Sequence, residues 1–158
     1  MSTITRSVQL DSGDKLLLTD VAAAGQTLQS VCHNAAYNAG WWLHTAEGQT
    51  YDLIRIMKAP LTPLEKLLSG ALVAQKLCLA HSEISEAMEG HRKGLKDDKL
   101  PHRDMLEVEL ADAVIRIAGL AGALSLDLGG AIAEKMAYNA VRLDHKPEAR
   151  AAAGGKSY

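Results

Sequence analysis

Five acidic residues stand in two short segments with helical spacing. HSEISEAMEG, residues 81–90, carries Glu83, Glu86 and Glu89, and VELAD, residues 108–112, carries Glu109 and Asp112. Side chains three apart are neighbours on one row of a helix. If both segments are helical, Glu83 with Glu86 forms one pair and Glu109 with Asp112 forms another. Four carboxylates converging from two helices repel one another unless cations neutralise them. Carboxylate oxygens suit Mg²⁺ or Mn²⁺ and not zinc. The alternative is two ordinary solvated faces, since acidic residues at this spacing are common on exposed helices. Glu89 falls further round the helix and reads as solvated.

The placement of these rows depends on the elements around them. LTPLEKLL supplies a helix start: Thr62 at the N-cap, Pro63 at N1 and Glu65 at N3, a capping box. Apolar residues then recur at 64, 67, 68, 71, 72, 77, 80, 84, 87 and 88. This predicts a helix over about 62–92, stopped by Gly94, with Ile84, Ala87 and Met88 on the core stripe and Glu83 and Glu86 beside it. KGLKDDKLPHRD reads as a polar loop. A second helix is expected over about 103–124, with its stripe at 106, 110, 113, 114, 117, 120, 121 and 124. Two consecutive helices joined by a short loop pack antiparallel by default, so their acidic border rows can face each other. A third helix is expected over about 128–144, capped by Asp127 and ended by Pro147.

Upstream, TITRSVQL alternates in polarity and DSGD is a turn signal, which predicts a small N-terminal β-hairpin or an extended arm. Asp20 is placed as the cap of a helix running towards Gly40, where the chain ends the helix or turns Trp41 and Trp42 inward. Residues 45–61 read as a connection with one short element around YDLIRIM.

The chain has 158 residues, 47% of them hydrophobic, and no Phe. That is enough for one domain with an aliphatic core, which favours helix-on-helix packing. The formal charge of −2 gives no basic surplus for nucleic acid or an anionic membrane. The most apolar run, residues 113–126, is too short for a bilayer and contains Arg116. The N-terminus has no long apolar run, so a soluble, cytoplasmic protein is expected. Cys32 and Cys78 form no metal spacing and read as reduced, mostly buried thiols. No Glu is followed by His three residues on, which argues against a di-iron bundle. GGKS at 154–157 lacks the earlier glycine of a P-loop.

An E-x-x-E pair followed about two dozen residues later by E-x-x-D resembles the signature of the MazG-like, all-α nucleoside triphosphate pyrophosphohydrolases. SEISE at 82–86 and ELAD at 109–112 carry it, with GWW at 40–42, LAHSEISEAMEGHRKG, ELADAVIRI and KMAYNAVRLDHK in support. The resemblance spans roughly residues 30–146 and favours the phage and bacterial branch. Ser82 stands where many members carry a further glutamate.

The resemblance implies an all-α, MazG-like bundle completed by dimerisation. It implies a single domain over 1–158, with its core at about 26–146, a peripheral arm over 1–25 and a tail over 147–158. It implies Glu83, Glu86, Glu109 and Asp112 as catalytic metal ligands for Mg²⁺, with Mn²⁺ able to substitute. It implies hydrolysis of an NTP or dNTP to the monophosphate and pyrophosphate. Lys135, Asn139 and Arg142, at offsets of four and three on the third helix, match the family's nucleotide-associated residues, and Arg92 is a further candidate cation. Trp41 or Trp42 could stack on the base while His33, Asn34 or Asn38 reads its edge; core plugs are the other reading of both tryptophans. The implied partners are the nucleotide and a second copy, as a homodimer or dimer of dimers. Two other readings stand beside this one: a relative acting on another pyrophosphate-containing nucleotide, and a non-catalytic helical adaptor.

Overall fold

A computed structural model describes residues 7–9, 15–142 and 151. Along the chain come β1 (Ser7–Gln9), β2 (Lys15–Leu17), α1 (Leu18–Asn38), β3 (Leu43–Ala46), β4 (Gln49–Asp52), α2 (Leu53–Lys58), α3 (Pro63–Lys93), α4 (Met105–Ala123) and α5 (Leu128–Val141). The described residues are mostly helical, as composition and periodicity predict. No single described helix is long and apolar enough to cross a membrane. By their contacts they divide into two compact units. One holds β1, β2, the start of α1 as far as Thr27, and α5; the other runs from Leu28 to Leu126.

In the first unit β1 and β2 pair antiparallel, Val8 opposite Leu16. The N-terminal hairpin expected from alternation is therefore present; its DSGD turn lies outside the described residues. β2 runs directly into α1, which starts at Leu18. Asp20 is thus a first-turn residue and not the cap. It still favours the helix start, because a negative charge there complements the helix dipole. α5 begins where expected, with the Asp127 carboxylate accepting from Gly130 N–H. It ends at Val141, earlier than expected, because Arg142 turns extended. Pro147, assigned as its stop, lies outside the described residues. Gly25 and Gly129 bring α1 and α5 close enough that a Cβ on either would meet backbone atoms.

In the second unit α1 ends at Asn38, ahead of Gly40 at φ 79°. Trp42 then turns inward and is only 4% exposed, while Trp41 stays outside at 69%. Trp42 packs with Met57, Leu120 and Ala123. The connection expected over 45–61 contains a second hairpin instead, β3 with β4, closed by Glu47 and Gly48, both at positive φ. Positive φ at both central residues is the geometry that matches strand twist in a two-residue turn. The element around YDLIRIM is α2, capped by Asp52, whose carboxylate accepts from Arg55 N–H.

α3 carries the predicted capping box. Thr62 Oγ1 accepts from Glu65 N–H, and Glu65 Oε2 accepts from Thr62 N–H. Gly94 ends it in the left-handed region, at φ 62°. The loop that follows is folded around a buried Asp97, whose carboxylate accepts from Lys99 and Leu100 N–H. α4 then returns antiparallel: Gly90 meets Met105, and Glu83 meets Arg116.

The seam between α3 and α4 corrects the predicted core stripe. On α3 the buried residues are Ala80, Glu83, Ala87 and Gly90. Ile84 and Met88, assigned to the core, are 46% and 59% exposed, and Leu64, Leu67 and Leu77 are exposed as well. On α4 Glu109, Ala113 and Leu120 are buried while Leu110, Val114 and Ile117 are exposed. The helices approach through their small residues, and a Cβ at Gly90 would lie 2.8 Å from Met105 Cβ. Backbones this close leave no room for branched aliphatics between them. The acidic rows therefore enter the seam, and the large aliphatic row is left outside.

Candidate metal centre

Glu83 comes from the middle of α3, and Glu109 from the second turn of α4. Because the helices are antiparallel and closely packed, the two carboxylates meet: they are 5% and 8% exposed and share a hydrogen bond. Glu86, one turn on from Glu83, is exposed but leans towards the same point. One ligand oxygen from each of Glu83, Glu86 and Glu109 falls within 4.8 Å of the others. Asp112, exposed on α4, is near enough for its charge to act on Glu109. The sequence-predicted quartet is therefore brought together, three residues tightly and the fourth at its edge.

The electrostatics are those of an under-neutralised site. Burial first, then the hydrogen bond to Glu83, then the charges of Glu86, Glu83 and Asp112, push the Glu109 carboxyl up to about 7. Arg116, on α4 one turn after Asp112, donates through Nε to Glu83 Oε1. Sequence reasoning did not assign Arg116 a role, although the row 109, 112, 116 already pointed to it. All the converging donors are oxygens, the set that suits a hard divalent cation such as Mg²⁺ or Mn²⁺.

A second unassigned cation adjoins Arg116. Lys76, on α3 two turns before Glu83, holds its ammonium 4.8 Å from the centre of the Trp42 ring and donates to Trp41 O at 3.5 Å. Burial, with the charge of Arg116 as a smaller cause, lowers its pKa. Lys76 thus sits at the tryptophan corner, and its charge acts on Arg116, which reaches Glu83. At that corner His33 lies 6.0 Å from Trp42, ring centre to ring centre. A Cβ on Gly122 would lie 2.5 Å from His33 Cβ, so only glycine admits the histidine there. His33 Nδ1 and Trp42 Nε1 are buried with no hydrogen-bond partner among the described residues. Trp42 is thus a core plug with an unused donor, and Trp41 is the aromatic free to stack. Asn38 is exposed at the end of α1.

Arg92 is six residues beyond Glu86, about 9 Å along the helix axis, where it pairs with Glu89 at 3.7 Å. Lys93 holds Glu89 too, so that glutamate is salt-bridged and not merely solvated. Lys135, Asn139 and Arg142 belong to the first unit and share one face of α5 or its C-cap. Lys135 Nζ and the Arg142 guanidinium both lie over the Tyr138 ring, at 4.8 and 5.7 Å. Ala131, Ile132, Lys135, Met136 and Asn139 line an open groove of about 490 Å³. Asn139 Oδ1 is buried without a partner among the described residues. Both cysteines are free thiols. Cys32 is buried, which raises its pKa, but Cys78 is exposed, contrary to the expectation for both.

Comparisons with known protein families, with curated proteins and with solved structures gave no match.

Proposed function

We propose that the chain is a metal-dependent nucleoside triphosphate pyrophosphohydrolase of MazG-like type, converting an NTP or dNTP and water to the monophosphate and pyrophosphate. One observation carries the reading: the convergence of Glu83, Glu86 and Glu109, with Asp112 beside them, in a seam where burial first, and then the neighbouring carboxylates, push Glu109 towards neutrality. Solvated acidic faces, as in a plain helical adaptor, have no reason to be buried against each other at the cost of desolvating two carboxylates.

Glu83, Glu86, Glu109 and Asp112 would hold Mg²⁺, with Mn²⁺ able to replace it. Such an ion, when bound, supplies charge for the polyphosphate and acidifies a water. The chain's own contribution is positioning. Glu83 and Glu109 are fixed by the packing of two helices, so their oxygens are aimed before substrate arrives. Glu86 is the exposed carboxylate of the group and is the one assigned to orient or deprotonate the attacking water. That water forms a bond to the α-phosphorus while the bond to the β-phosphate breaks, and the electron pair leaves with pyrophosphate. Lys135, Asn139 and Arg142 are assigned to the phosphates, and Trp41 to stacking on the base.

The exposed row Ile84, Met88, Leu110, Val114 and Ile117 supports the second copy that a bundle of this type needs. The direct test is pyrophosphate release from the eight common NTPs and dNTPs with Mg²⁺, beside Glu86→Gln. Release from one or a few nucleotides, reduced at least about 100-fold by the substitution, is expected. No release above the control for any of them would remove the reading.

A further inference from the structure

Arg116 is the cation that the chain itself sets against the acidic cluster. Among the described ion pairs, the one that reaches Glu83, Glu86, Glu109 or Asp112 comes from Arg116. Its guanidinium Nε donates to Glu83 Oε1, and the two partners differ in their surroundings. The Glu83 side chain is almost fully buried, whereas that of Arg116 is 43% exposed. The arginine can therefore swing its head group into water on its own methylene chain without unpacking a helix. The glutamate cannot follow.

Lys76 is a second cation whose charge acts on Arg116. Its ammonium is seated on the Trp42 ring and bonded to Trp41 O. Like charges repel, which favours Arg116 on the carboxylate side. A divalent cation drawn to Glu83, Glu86 and Glu109 would meet Arg116 on the first of these. Ligand oxygens sit about 2.0–2.6 Å from Mg²⁺ or Ca²⁺, so an ion shared by three residues whose oxygens span 4.8 Å lies within a few ångströms of that guanidinium. The two positive charges cannot both occupy Glu83 at full strength.

We infer that Arg116 is the resident counter-cation of the acidic centre and is displaced from Glu83 when a divalent cation binds. In this role Arg116 is a positioning residue. It keeps the buried carboxylates folded and aimed in the metal-free protein, and it sets a threshold below which metal does not load. The inference rests on the metal reading given above.

The test is titration of Mn²⁺ into the full chain and into Arg116→Gln by calorimetry, with melting temperatures in EDTA and in saturating Mn²⁺. Loss of the competing charge is expected to tighten Mn²⁺ binding roughly tenfold, the scale of a partly exposed ion pair. The variant is expected to melt below the parent in EDTA and level with it in Mn²⁺. In the parent protein, the Arg116 Nε–H signal, assigned through its bonds to the Arg116 backbone, is expected to move towards that of a free arginine as Mg²⁺ saturates. This reading does not depend on the variant folding. Equal or weaker Mn²⁺ binding by the variant, with the same loss of melting temperature in both conditions, would make Arg116 a plain structural tie and overturn the inference. An Arg116 signal unmoved at Mg²⁺ saturation would do the same. No Mn²⁺ heat and no thermal gain in either protein would instead remove the metal reading, and this inference with it.

Discussion

Glu109 on α4 hydrogen-bonds Glu83 on α3 inside a seam whose buried neighbours include Ala80, Ala87 and Gly90 of α3 and Ala113 of α4. Two carboxylates can share such a bond only if a proton lies between them, and burial makes Glu109 its holder.

Stability of the metal-free protein should therefore fall as pH rises through the neutral range. The folded Glu109 keeps its proton to about 7, against an ordinary value of 4.5. Between those limits the folded state binds more protons than the unfolded state. This stabilisation is full below the lower value and lost above the upper one. Melting in EDTA should drop by about 5 °C between pH 5 and pH 8, a few kcal/mol on the scale of a chain this size. Glu109→Gln should flatten the profile. A parent profile rising over the same window would contradict the buried proton.

Metal loading should have the opposite dependence. The ion needs ionised carboxylates, so binding must expel the Glu109 proton. Calorimetry of Mn²⁺ at pH 6.5 in two buffers of different ionisation heat should show release of up to one proton. The affinity should strengthen from pH 6 to pH 8. Buffer-independent heats would show that Glu109 is not a ligand.

Gly122→Ala should be costly although alanine is the better helix former. The new methyl would lie 2.5 Å from His33 Cβ and 2.7 Å from its Cγ. These atoms sit near the backbone of α1 and cannot swing aside, so the clash must be relieved by moving a helix. A loss of about 1–3 kcal/mol is expected from overpacking, measured by urea unfolding. Gly70→Ala, with open space around the added methyl, serves as the control and should be neutral or stabilising.

Val114→Glu should separate copies of the chain. Val114 and Ile117 are exposed on the outer face of α4, away from the carboxylate seam. A charge placed there should leave the fold and the Glu83–Glu109 contact unchanged. Light scattering is expected to show a dimer or larger for the parent and a monomer for the variant. A monomeric parent would remove the second copy from the proposal.

Local signals determined much of the chain. Thr62, Pro63 and Glu65 specify the start of α3, and Gly94 specifies its end, because caps depend on the chemistry of a few neighbouring residues. The i, i+3 spacing of Glu83 with Glu86 and of Glu109 with Asp112 fixes each pair on its helix. The hairpin of β3 and β4 was less legible. Its turn is Glu47–Gly48, and only the glycine announces positive φ.

Tertiary structure decided which face of each helix turned inward. Periodicity counts apolar residues, and it placed Ile84, Met88, Leu110 and Val114 in the core. Packing depends on how closely backbones approach, and Ala80, Ala87, Gly90 and Ala113 allow the closest approach. That contact buried Glu83 and Glu109 and brought Arg116 onto Glu83. It also left the large aliphatics facing outward. No one-dimensional pattern holds that choice, because it is made by a second helix at short range.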